Sequence, residues 1–267
     1  MARKPIFGVN PNVFFLGMVS LLTDVSSELI FTLLPLFLAN ILGVAATLIG
    51  LIEGVAESTA SLLRIFSGWL SDRLGKRKSL AFLGYFLSTI TKPLMYIASS
   101  WGFVLGVRFS DRLGKGIRAA PRDALVADSV SAGERGRAFG LHRALDTYGA
   151  ALGVALAAIV VYLIQRGNLE LLRSTYQWLV VVGVIPAVLA LFMFLFIREP
   201  KHKTEGQAPL AENGKYSKAG FDTRFKLFLG IVFLFTLGNS SDAFLILRAQ
   251  NLGNCVWHIL LMLVIFN

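Results

Sequence analysis

The sequence predicts an all-α membrane protein: a six-helix bundle, a cytoplasmic central linker, then a seventh helix and an incomplete eighth. Three observations carry that prediction. The 267 residues are 55% hydrophobic and have a mean hydropathy of +0.66, against roughly 45–50% apolar in a soluble domain. The apolar excess is gathered into long runs, the pattern of a multi-span membrane protein. The basic residues, which give a formal charge of +10, collect in alternate connections between those runs.

A hydrocarbon core about 30 Å thick takes about 20 mostly apolar residues per helix. Runs of that length occupy residues 13–38, 47–70, 79–98, 101–127, 138–164, 176–197 and 225–247. Each is expected to be helical, since lipid offers no partner to an open backbone group. No small-residue cleavage site follows the first run, so it reads as a retained helix rather than a signal peptide.

The connections then sort by charge. Arg3 and Lys4 fall on one side, with Arg73, Lys76, Arg77, Lys78, Arg135, Arg137 and the long segment 198–226. Residues 40–46 and the Ser99-Ser100 pair fall on the other and carry no Lys or Arg; Arg166 and Arg173 are the exception. The positive-inside rule places the N-terminus and the long segment in the cytoplasm, as expected of a multi-pass protein of the cell (plasma or inner) membrane.

Residues 199–222 are rich in Lys, Glu, Gly, Pro and Ser and lack hydrophobic periodicity, so they read as a flexible linker. The expected division is 1–197 for the first bundle, 198–224 for the linker and 225–267 for the start of a second bundle. The last apolar run, 255–266, is only about a dozen residues long, too short to span. The sequence is therefore expected to stop inside an eighth helix, as a truncated piece of a longer chain.

Other classes are excluded on composition and motif. One cysteine, Cys255, rules out a disulfide framework and a multi-cysteine metal site. Three scattered histidines in no His-x-x-x-His pattern argue against a metal cofactor. No nucleophile elbow, zinc-protease or P-loop motif is present, so neither an enzyme nor any other cofactor is expected. The positive charge marks topology rather than nucleic-acid binding.

Between the second and third runs lies Gly68-Trp69-Leu70-Ser71-Asp72-Arg73-Leu74-Gly75-Lys76-Arg77-Lys78. Its first glycine permits close helix approach, and its aspartate can face a helix N-terminus. Gly68, Asp72, Arg73, Gly75, Lys76 and Arg77 resemble the signature loop of the major facilitator superfamily of secondary transporters. A second stretch, Arg112, Gly116, Pro121, Asp128 and Glu134-Arg135-Gly136-Arg137-Ala138, is similar to that family's fourth-helix arginine motif and the entry to its fifth helix. Lys115 and Arg118 depart from it, standing where the family often has Gln and Gly. A third stretch, Gly140, Gly149 and Gly153, has the spacing of the family's antiporter motif, with Val154 in place of its proline and Ala157-Ala158 in place of its last glycine pair.

The resemblance implies two six-helix bundles rocking about a mid-membrane site, driven by an ion gradient, most simply of protons. It implies export by exchange, a cavity lined by the first, fourth and seventh helices, and a role for Asp72 in gripping the second bundle. An echo between Val25-Ser26-Ser27-Glu28 and Asn239-Ser240-Ser241-Asp242 fits the parallel repeats of such carriers. The partners implied are the lipid bilayer, a small solute, protons and a second bundle that this chain largely lacks.

Charge within the spans is the most physical clue, because a charge at the bilayer centre costs about 2.5–3.5 kcal/mol on insertion scales. The fourth run alone holds Arg108, Asp111, Arg112, Lys115, Arg118, Arg122 and Asp123. Steps of three and four join Asp111, Lys115, Arg118 and Arg122 along one face, which must line a watery cavity or meet acids. Acids are at hand in Asp24, Glu28, Glu53, Glu57 and Asp146, the last near His142 and Arg143.

The expected solute and ion pathway is Asp24, Glu28, Arg112, Lys115, Arg118 and Asp242. Asp24 and Glu28 are the proton-coupling candidates, since a carboxylate beside cavity water is balanced between burial and a neighbouring arginine. Arg64, Arg122 and Asp123 read as scaffold. Lys92, next to Pro93, is expected to snorkel. Phe14, Phe15, Phe31 and Phe37 read as packing or lipid contacts. The net positive fourth helix favours a small anion, a zwitterion or an anionic chelate; the rival solute is a drug-like hydrophobic cation, and the rival of another class is a non-transporting fragment of a broken carrier.

Overall fold

In a computed structural model, described over residues 6, 8–200, 222–238 and 241–266, the chain is helical along almost its whole described length. Helix α1 (Pro11–Phe31) starts where the Asn10 side chain accepts from Asn12 N at 2.9 Å, with proline in its first turn. It runs on through a turn at Leu34–Leu36 and a π-helical turn at Phe37–Ile41. Helix α2 (Ala46–Leu74) ends on Gly75, whose φ of 63° is the left-handed stop that glycine adopts without strain.

Helix α3 (Arg77–Thr91) tightens into a 3₁₀ segment, Lys92–Ile97, where Pro93 removes a backbone donor. Helix α4 (Trp101–Asp128) is capped by Ser100, which accepts from Phe103 N at 3.3 Å. Helix α5 (Arg135–Ile164) follows a Ser131/Glu134 capping box. Then come α6 (Arg173–Phe194), α7 (Thr223–Gly238), α8 (Asp242–Asn251) and α9 (Val256–Phe266).

Among the described residues, five helical stretches are long and apolar enough to cross a membrane: Pro11–Ile41, Ala46–Leu74, Arg77–Ile97, Ala132–Ile164 and Arg173–Phe194. The described residues are almost wholly helical, and the protein is a multi-pass membrane protein. Helix α4 has the length to span, 28 residues or about 42 Å, but its charges set it apart from those five. It packs against α2 and α3, which take up several of those charges.

Two expectations need correcting. The single run at 225–247 is divided between α7 and α8. Asp242 sits in the first turn of α8, where a carboxylate is favoured by the helix dipole. Lys92 does not snorkel. It is fully buried and donates to Ser26 Oγ at 2.9 Å, Ser27 Oγ at 3.1 Å and Thr23 O at 3.4 Å. The neighbouring helix offers it two hydroxyls within hydrogen-bond reach. The expected echo residues Asn239 and Ser240, the basic pair Arg3 and Lys4, and linker residues 201–221 lie outside the described residues.

By contacts the chain forms two units, Met1–Pro200 with Ala243–Asn267, and Lys201–Asp242. In the first unit α9 packs on α5, and Val256 N donates to Asn168 O at 3.3 Å. Two apolar clusters fill this unit. One includes Leu29, Leu33, Ile49, Val104, Val161 and Tyr176. The other includes Val13, Leu16, Ala81, Tyr85, Leu125 and Phe194. Along α1, α3, α4 and α5 the polar and charged side chains fall between the residues of one cluster and those of the other. That ordering creates a polar layer at mid-bundle.

Candidate functional site

The polar layer is assembled by close helix seams. An added Cβ at Gly149 would stand 2.5 Å from Leu21 O, and one at Gly153 2.8 Å from Val25 O. Only glycine lets α1 and α5 meet so closely. Gly84 and Gly114 do the same for α3 and α4, each within 2.6 Å of the other's carbonyl on the same test. Gly140, the first glycine of the antiporter-like spacing, has no such neighbour within 4 Å and sits on an open stretch of α5.

The seams divide the charges of α4 between its neighbours. Towards α2, Arg108 pairs with Glu53 through Nε–Oε1 at 3.2 Å and Nη2–Oε2 at 2.8 Å. Its guanidinium also lies 4.5 Å from the centroid of the Phe31 ring, so Phe31 is more than lipid-facing bulk. Arg112 Nη2 pairs with Glu57 Oε1 at 2.9 Å. Towards α3, Arg118 donates to Ser88 Oγ at 2.9 Å and lies over the Tyr85 ring, while Ser88 donates to Asp111 Oδ1 at 2.6 Å. Asp111 and Arg118, of the expected face, thus meet α3 through Ser88, while Arg108 and Arg112 meet α2. Lys115 is half-buried and has no hydrogen bond or ion pair among the described residues.

Facing these from α1 are Asp24 and Glu28, both half-buried. Glu28 accepts from Thr32 Oγ1 at 2.5 Å. Asp146 of α5 accepts from Ser20 Oγ at 2.5 Å and pairs with Arg143 at 3.2 Å. Arg122 joins the group, donating to Ser20 Oγ at 3.3 Å and pairing with Asp123 at 2.9 Å. Asp242 opens α8 and falls in the second contact unit.

The signature loop forms a second centre where α2 ends and α3 begins. Arg77 is its hub, paired with Asp128 of α4 and with Asp72 at 3.5 Å. Arg73 stacks over Trp69 at 5.4 Å, Lys76 precedes the first turn of α3, and an added Cβ at Gly68 would touch Ala120 Cβ at 3.4 Å. Glu199, just past α6, accepts from the backbone N–H of Arg77 and of Lys78, each at 2.9 Å. Asn12 donates to Arg198 O at 2.9 Å and to Ser129 Oγ at 3.2 Å.

Ser20, Ser88, Asn12 and Glu199 escape sequence reasoning. Ser20 carried a signal, standing one turn before Asp24 on the same helix face. Glu199 carried none, because it lies in what reads as linker.

The sequence profile of the Major Facilitator Superfamily matches residues 16–267. An uncharacterized MFS-type transporter of Methanocaldococcus jannaschii is 33% identical over 242 residues, covering 91% of this chain and 57% of that protein. The multidrug resistance protein MdtH of Yersinia enterocolitica is 31% identical over 146 residues, 54% of this chain and 36% of that one. The crystal structure of a D-xylose-proton symporter superposes with a TM-score of 0.71 at 15% identity, covering 96% of this chain and 65% of that one. The chain spans about half the length of the curated relatives it matches.

Proposed function

Because the chain belongs to the Major Facilitator Superfamily, we propose that it supplies the first bundle, and the start of the second, of a secondary carrier working by alternating access. The division at 197 and 224 drawn from the sequence is part of this reading. The solute is a small anion or zwitterion, moved outward in exchange for protons. Asp24, Glu28, Arg112, Lys115, Arg118 and Asp242 line its path, and the loop from Gly68 to Arg77 switches the bundles between states.

One observation carries the solute class. Lys115 is a cation within a span that lacks any ion-pair partner among the described residues, and such a group is expensive unless it serves a ligand or cavity water. Uptake and counterflow by the full-length protein in liposomes, with and without a pH gradient, test the reading. Anionic solutes should compete, and Lys115→Ala should weaken their apparent affinity at least about tenfold, the scale of one lost charge-assisted contact. Competition by cations alone would overturn the solute class.

A hydrophobic cation is the second reading. Asp24 and Glu28 have no ion-pair partner among the described residues, and a relative bears the name of a multidrug resistance protein. In that case Glu28→Gln, not Lys115→Ala, removes binding.

A further inference from the structure

We propose that the groove between α1 and α5, on the flank away from the polar layer, binds an anionic phospholipid, with its phosphate on Arg137 and an acyl chain along α5. The proposal is independent of the solute carried.

The two flanks of the α1–α5 seam differ in chemistry. On one, Asp146 accepts from Ser20 of α1 at 2.5 Å and lies 3.9 Å from Arg122 of α4, and Arg143 and Thr147 share its side of α5. On the opposite flank, steps of three, four and seven residues join Arg137, Leu141, Leu145, Tyr148, Leu152 and Ile159. Tyr148, Leu152 and Ile159 are 70%, 40% and 54% exposed. From Arg137 to Leu152 the helix rises about 22 Å, more than half of a hydrocarbon core about 30 Å thick. The apolar strip therefore runs the depth of one leaflet.

At the head of the strip lies a cavity of about 490 Å³, within the roughly 300–1,000 Å³ of ligand clefts. Val9 and Phe14 wall it on one side and Leu141 and Leu145 on the other, and Arg137 is its one charged lining residue. Gly140 lines it without a side chain, and an added Cβ there would meet nothing within 4 Å. The turn before α1 steadies the guanidinium. Ile6 and Val9 exchange two backbone hydrogen bonds of 3.0 Å, and a Cβ built on Gly8, whose φ is 71°, would stand 3.7 Å from Arg137 Nη2. Arg137 is exposed and has no hydrogen bond or ion pair among the described residues.

Charge decides the occupant. A cation in the first turn of a helix opposes the helix dipole, so Arg137 gains from an anion beside it. A phosphate offers oxygens that match the guanidinium fork. A free solute anion has no use for the apolar strip that leads away from that cation, whereas acyl chains do. One cation at the end of a span, with an apolar track running inward from it, is complementary to an anionic lipid.

Native mass spectrometry of the purified full-length protein tests the site. The wild type should retain one dioleoyl-phosphatidylglycerol at least about tenfold more tightly than dioleoyl-phosphatidylcholine, the scale of one charge-assisted contact. Arg137→Ala should remove that preference. Arg135→Ala, an equal loss of charge that does not line the cavity, should leave it unchanged. Gly140→Leu, which fills the cavity, should weaken both lipids, and Gly140→Ala, too small to fill it, should weaken neither; the second variant guards against a leucine that merely misfolds the protein. Equal losses in Arg135→Ala and Arg137→Ala would mean diffuse attraction and overturn the site. Displacement of the lipid by inorganic phosphate at comparable concentration would overturn it in favour of a free-anion site. A wild type that retains no lipid, whether or not a second copy of the chain covers the groove, would overturn it outright.

Discussion

Glu53 and Arg108 meet in a two-point ion pair that ties α2 to α4, with side chains only 14% and 6% exposed. Removing one partner strands the other charge, a loss of about 3–5 kcal/mol for a buried pair. Arg108→Ala and Glu53→Ala should each lower the thermal midpoint of the purified full-length protein markedly. The double change Arg108→Met with Glu53→Leu should recover most of the loss, because it leaves no orphaned charge. A double variant as weak as the singles would show that the pair itself, and not the stranded charge, sets the stability.

Lys92 predicts the opposite sign. Its ammonium is held by two hydroxyls and a carbonyl, with no carboxylate in ion-pair reach among the described residues. The desolvation of an isolated charge outweighs such contacts, so Lys92→Met should leave stability unchanged or raise it by up to about 4 kcal/mol. Ser26→Ala with Ser27→Ala, which takes acceptors away while keeping the charge, should destabilise. Chemical unfolding of both variants in detergent checks the pair of signs.

The glycines of α5 should separate cleanly. Gly149→Ala forces a methyl against Leu21 O and should cost about 1–3 kcal/mol, as overpacking does. Gly140→Ala meets nothing within 4 Å and should be neutral or gain up to about 1 kcal/mol from helix propensity. Equal effects at the two sites in a thermal melt would contradict the seam described here.

Glu199 acts on α3 from a distance in sequence. Its two oxygens take up the first backbone donors of that helix. Glu199→Ala should speed amide exchange at Arg77 and Lys78, with a loss of about 0.5–2 kcal/mol typical of a removed cap. Exchange further along, at Tyr85 for example, should not change.

Much of the bundle is legible in the sequence because a membrane demands it. The runs that became α1, α2, α3, α5 and α6 announce themselves by length and apolarity, and Gly75 marks its helix end by chemistry. The charges of α4 were legible as a cluster but not as an arrangement. A step of three or four residues shows that Asp111 and Arg118 share a face, yet not that α3 covers it and binds both through Ser88. Lys92 misleads for a related reason. Its place near a span's end suggests escape to the surface, whereas the partners that hold it belong to another helix, 65 or more residues earlier. Contacts that depend on which helix lies beside which are not written in local spacing.

Ser129 receives Asn10 through its carbonyl at 2.6 Å and Asn12 through its hydroxyl, while Asn12 also grips both faces of the Arg198 peptide. The chain leaving α6 is thus moored at Arg198 and Glu199, four and five residues past Phe194, to the starts of α1 and α3. A protease cut made after Pro200 would sever the covalent path without freeing that mooring. The severed first segment should keep that end of its bundle intact.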